Sequence, residues 1–95
     1  MLAKTAYELI NIESDVDYIE NMNVKDGPIF RIHCVKTNQE PVFIQSYKGF
    51  MIEFPANSFI CGAVYDIMIK RMKFNKNTAA FVGYRLKDKP ANMRN

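Results

Sequence analysis

Apolar residues along this chain follow one period at its start, a second in its middle, and the first again further on. Thr5 followed by Glu8 has the spacing of a helix capping box, with Ala6, Leu9 and Ile10 as an apolar stripe behind it, which predicts a short helix over residues 5–12. Ser14 offers a second N-cap, with Asp15 and Asp17 in the first turn and Val16, Ile19 and Met22 at helical spacing. Gly27 and Pro28 close this acidic helical segment, because Pro28 cannot continue a helix and biases its neighbour away from the α region.

From Pro28 the period falls to two. Phe30, Ile32 and Cys34 alternate with Arg31 and His33, the turn residues Thr37 to Glu40 follow, and PVFIQSY resumes the alternation. Lys48 and Gly49 then separate Tyr47 from FMIEF, the composition of a tight two-residue hairpin. The prediction for residues 28–55 is a three-stranded antiparallel meander with Lys36 opposite Pro41 and Tyr47 opposite Phe50. That register puts Phe30, Ile32, Cys34, Phe43, Gln45, Tyr47, Phe50, Ile52 and Phe54 on one face, which is then the core face. The opposite face, from Ile29, Arg31, His33 and Val35 to Met51 and Glu53, is mixed, and is either half exposed or a binding surface.

After Pro55, Asn57 or Ser58 can cap a long helix over residues 57–75. Ile60, Ala63, Val64, Ile67 and Phe74 would dock on the aromatic sheet face, and a second stripe, Tyr65, Ile69 and Met72, would need another cover. Either the N-terminal helices supply it or it is an interface, in a homo-oligomer or with another protein. Asn75 to Asn77 end the helix, a fourth strand follows over residues 80–88 with Val82, Tyr84 and Leu86 inward, and residues 89–95 form a loose tail. The expected fold is therefore α+β, one domain over residues 1–95.

Composition supports one small globular unit. Its 95 residues allow one core, and 48% hydrophobic with 24% charged residues lies far from the disordered class. No apolar run approaches a membrane span, and MLAKTAYELI lacks the apolar core and cleavage site of a signal peptide, so the expected compartment is the cytoplasm. Cys34 and Cys61 lack metal-ligand spacing and read as two buried thiols in a reducing compartment.

Charge changes the picture more. Residues 1–27 carry two basic and six acidic residues, a net of −4, whereas residues 28–95 carry eleven basic and four acidic residues, a net of +7. Most of the surplus sits in Lys70, Arg71, Lys73, Lys76, Arg85, Lys87, Lys89 and Arg94. Such a basic stretch is either a solubilising surface or a footprint for a polyanion.

Catalytic chemistry finds no support in the residue pattern. The single histidine, His33, sits on the opposite side of its strand from Cys34, which argues against a Cys–His pair. Glu13, Asp15 and Asp17 lack the further oxygen ligands and the glycine of a calcium loop, and fit first-turn helix acids better. The four glycines are scattered, so there is no phosphate-binding loop, and no cofactor is implied. The chain reads as a non-enzymatic binding protein. First in rank is a polyanion, most simply nucleic acid or an acidic protein surface, held by Lys70, Arg71, Lys73, Lys76, Arg85 and Lys87 together with Arg31 and His33 on the mixed sheet face, near Phe81. Second is a protein-interaction module or inhibitor of the kind that phages and mobile elements encode, built on Tyr65, Ile69 and Met72. Third is a sponge that captures a charged nucleotide between subunits.

Overall fold

The structure, a computed structural model, describes residues 7–20 and 27–86. Among the described residues there is no helix, and the fold is all-β. The strands are β1 (Tyr7–Asn11), β2 (Ile29–Lys36), β3 (Val42–Gln45), β4 (Met51–Phe54), β5 (Val64–Tyr65), β6 (Arg71–Lys73) and β7 (Ala80–Leu86). They form a four-stranded sheet in the order β1-β7-β2-β5 and a three-stranded sheet in the order β4-β3-β6, every pairing antiparallel.

The expected α+β fold is thus overturned, and the reasons are local. Where a helix was expected over residues 5–12, Tyr7–Asn11 pairs residue by residue with β7, from Tyr7 opposite Leu86 to Asn11 opposite Val82. Ser14 caps no helix; its hydroxyl accepts the Phe74 N–H at 2.9 Å. Thr5, Ala6 and Met22 of those expected helices lie outside the described residues, as do Lys87 and the tail over residues 89–95.

The long helix expected over residues 57–75 is replaced by turns and two short strands. Asn57 has φ 66° and Gly62 φ 91°, both left-handed, which interrupts any right-handed helix. Gly62 is the third residue of a turn closed by Ala63 N–H on Ile60 C=O, and its own N–H donates to Cys34 C=O while Cys34 N–H donates to Ala63 C=O. Two residues facing one is a glycine β-bulge, and it delivers the chain into β5 beside β2.

The expected meander also splits. β3 and β4 do form a hairpin, but β2 lies in the other sheet. Phe54 pairs with Val42 instead of Phe43, a one-residue slip that turns Val42 and Ile44 inward. Residues 46–50 make a longer connection than the two-residue turn expected at Lys48 and Gly49. In β2 a bulge at Phe30 lets both Ile29 and Ile32 point inward. In β7 the parity is likewise reversed: Phe81 and Gly83 are buried, and Val82 and Tyr84 face out. A Cβ on Gly83 would lie 2.6 Å from Ile12 Cδ1, so a glycine fits where β7 crosses the core.

The inner faces of both sheets share one core: Ile12, Ile29, Ile32, Cys34 and Phe81 from the first sheet and its extensions, Val42, Ile44 and Met72 from the second, with Phe59 and Ile69 between. Phe59 meets Phe54, Tyr65 and Phe81 at ring-centroid distances of 5.3, 5.0 and 5.5 Å, and Phe81 meets Phe74 at 5.2 Å. Burial of these aliphatic and aromatic side chains is the main stabilising contribution. Among the described residues one polar side chain, Asn38, is fully buried. Its amide donates to Glu40 C=O and Pro55 C=O and accepts from Phe59 N–H, so it ties the connection before β3 to the chain leaving β4 at no desolvation loss.

Candidate functional site

The outward face of the four-stranded sheet gathers residues that a soluble core has no use for. Strand register places Leu9, Tyr84 and Arg31 in one row, and Asn11, Val82, His33 and Val64 in the next. The bulge at Phe30 turns that ring onto the same face, where Phe30, Tyr7 and Tyr84 lie 5.6–6.4 Å apart between centroids. The Arg31 guanidinium carbon sits 5.8 Å from the centres of both Phe30 and Tyr84, a cation over two π faces. Arg31 Nε also donates to Asp66 Oδ1 at 2.6 Å, and this bond raises the guanidinium's pKa further. Tyr7 is 56% exposed and Leu9 58%. The face therefore offers rings, an anchored cation and a histidine to solvent.

The basic residues expected to act together are dispersed. Lys70 Nζ lies 3.8 Å from Asp17 Oδ2, Arg71 Nη2 lies 3.6 Å from the same oxygen, and Arg71 Nε lies 3.9 Å from Asp15. Asp17 Oδ1 accepts the N–H groups of Glu20 and Ile19. The Glu20 N–H above all, then Ile19 and the charges of Lys70 and Arg71, hold this carboxyl below the usual carboxylate range against the opposing effect of burial. Arg85 pairs with Glu8 at 2.7 Å on the side of the sheet opposite Arg31 and His33, in register with buried Ile29. Phe81, expected near that cluster, is core. Lys73 and Lys76 are exposed, on and after β6. Lys87 lies outside the described residues.

The acidic start of the chain thus folds onto its basic later part. Residues 7–20 carry five acidic and no basic residues, and residues 27–86 carry eight basic and three acidic ones, so −5 cancels +5 and the described residues are formally neutral. The surplus of +3 belongs to residues 1–6 and 87–95, which contribute Lys4, and Lys87, Lys89 and Arg94 against Asp88; Lys25 and Asp26 cancel.

The stripe of Tyr65, Ile69 and Met72, which called for either the N-terminal segment or an interface to cover it, is internal. Ile69 and Met72 have no exposed surface, and Tyr65 packs against the core with its hydroxyl accepting Ile60 N–H. Of the two thiols expected to be buried, Cys34 is, with its pKa pushed up first by that burial and then by the nearby Cys61, whereas Cys61 is exposed with its sulfur against Val35 C=O. An open cleft of about 360 Å³ between Ser14, Pro41, Phe43 and Phe74 holds one cation, Lys73, and one carboxylate, Glu40, the latter accepting from Asn75 and Thr78. A phosphate there would meet a negative neighbour.

The aromatic face went unseen in the sequence because Tyr7 sat in an expected helix and Tyr84 in an expected core. Its legible signal was Phe30-Arg31, an aromatic next to a cation in a strand. Among the described residues no helix is long and apolar enough to cross a membrane. No protein-family model, curated protein or solved structure matches the chain.

Proposed function

We propose that this chain is a non-enzymatic binding protein that holds single-stranded nucleic acid on the outer face of its four-stranded sheet. The observation that carries the reading is the outward-facing cluster of exposed Tyr7 and half-buried Phe30 and Tyr84, with Arg31 set over two of the rings. Bases of a single strand present π faces that stack on such rings irrespective of sequence, and a guanidinium serves both the base and the phosphate. A duplex hides those faces, so the unpaired strand is the fitting ligand.

Charge along the sequence supports the same surface. The described residues are neutral, and two of the cations outside them stand next to the rings in the chain: Lys4 precedes Tyr7 by three residues, and Lys87 directly follows Leu86, the partner of Tyr7. In this reading Lys70 and Arg71 hold the fold together through Asp15 and Asp17, and the cytoplasm, which suits two free thiols, is the setting.

Fluorescence anisotropy of labelled single- and double-stranded DNA and RNA, at low and moderate salt, tests the reading. Binding is expected to favour single strands and to weaken with salt. Tyr7→Ala and Arg31→Ala should each lower the affinity about 5-fold or more, from the ~1–3 kcal/mol that stacking of one base contributes. Lys70→Ala should leave it near the wild-type value. Absence of binding at low salt, or full binding by both face variants, would overturn the proposal.

A further inference from the structure

The second sheet ends in a strand that nothing among the described residues covers. β4 pairs with β3 on one side only. An antiparallel ladder uses the backbone groups of every second residue, so the other half of β4's N–H and C=O groups point outward from the sheet edge. Side chains along this edge are apolar as well: Phe50 is 90% exposed, Ile52 57% and Met51 38%, and Glu53 is the single charge between Phe50 and Phe54. Natural edges of this composition are normally protected by a lysine, a proline or a covering loop. Here Pro55 stands just beyond the strand.

We infer that β4 is a self-association edge, where a second copy of this chain adds its own β4 antiparallel across a two-fold axis and makes one six-stranded sheet from two three-stranded ones. The unpaired backbone groups call for an extended strand, and two features select a copy of this one. First, the far edge of the same sheet is shut: the N–H groups of Asp15 and Tyr18 donate to the C=O groups of Met72 and Lys70 along β6. A head-to-tail pairing of β4 on β6 is therefore blocked, and the like-with-like contact remains. Second, the strand is self-complementary. With Ile52 opposite Ile52 of the second copy, Phe50 faces Phe54 and Met51 faces Glu53, so the two glutamates are kept apart; a register two residues further along would set them opposite each other, which is unfavourable. This inference is independent of nucleic-acid binding, since it uses the other sheet.

Sedimentation equilibrium over a range of protein concentrations tests it, with two lysine variants at exposed positions. Wild type is expected to shift from monomer towards dimer as concentration rises. Ile52→Lys sets two lysines against each other and should weaken the dimer about 10-fold or more, the scale of a lost apolar pair plus like-charge repulsion. Met51→Lys faces Glu53 and should keep the dimer within a few-fold of wild type. A wild type that stays monomeric at every concentration overturns the inference, and equal weakening by both variants overturns the register and with it the paired strand, leaving a merely sticky patch.

Discussion

The two edges of the three-stranded sheet are treated in opposite ways. Along β6 the chain doubles back: residues 14–18 donate two backbone N–H groups to it, Ser14 takes the Phe74 N–H, and Asp15 and Asp17 sit over Lys70 and Arg71. Along β4 no such strap lies among the described residues, and apart from Glu53 the exposed side chains there are apolar. The first edge is secured by backbone hydrogen bonds and core packing and uses its charges internally. The second leaves both kinds of interaction unspent, as a contact surface must. The lesson is that charge in this chain marks where it closes on itself, while exposed apolar and aromatic groups mark where it is open.

The sharpest way to break the contrast is to truncate one side chain on each edge. Met72, at the centre of β6, is fully buried, and Met72→Ala should cost about 2–5 kcal/mol of stability in a urea titration. Ile52→Ala on β4 should stay within about 0.5 kcal/mol in the same measurement at dilution, where the monomer dominates. Equal losses would mean that the two edges are built alike. Next in size is Ser14→Ala, which removes the acceptor of the Phe74 N–H and should cost about 1 kcal/mol.

The smallest effect is electrostatic and carries a sign. Because Asp17 is held below its ordinary pKa in the folded chain, its contribution is present above the unfolded-state value and fades as pH falls below about 4. Asp17→Asn should therefore lower the melting temperature at neutral pH, and the gap to wild type should close on acidification. A gap that persists at low pH would mean that the carboxylate charge is not its source.

How much of this was legible beforehand follows from the same physics. Alternation of period two survives in β2, β3, β4 and β7, and all four were expected as strands close to where they stand. What alternation could not supply was parity. The bulge at Phe30 and the longer connection at residues 46–50 each move the chain by one residue, and one residue exchanges inside for outside. The helix expected over residues 57–75 arose from apolar residues falling at helical spacing, although Gly62 stood in its middle and β5 and β6 are only two and three residues long, too short to show a period. The candidate site suffered from this directly: Arg31 and His33 were expected on the mixed face and lie there together, but parity had put Phe30 and Tyr84 on the core face, and Tyr7 had been read into a helix.

The pairing of β1 with β7 reaches beyond the folded state. Tyr7 and Leu86 are partners, so the contact that completes the four-stranded sheet joins residues 79 positions apart and closes almost the whole chain into a loop. Such distant pairing slows folding to the millisecond-to-second range typical of all-β domains. During synthesis the delay is longer still. At ~5–20 residues per second the ribosome needs about 4–16 s to make the partner of Tyr7 after Tyr7 itself. For that interval β1 is a strand without a sheet, and its Leu9 and Ile10 are open to chaperones and to other nascent chains.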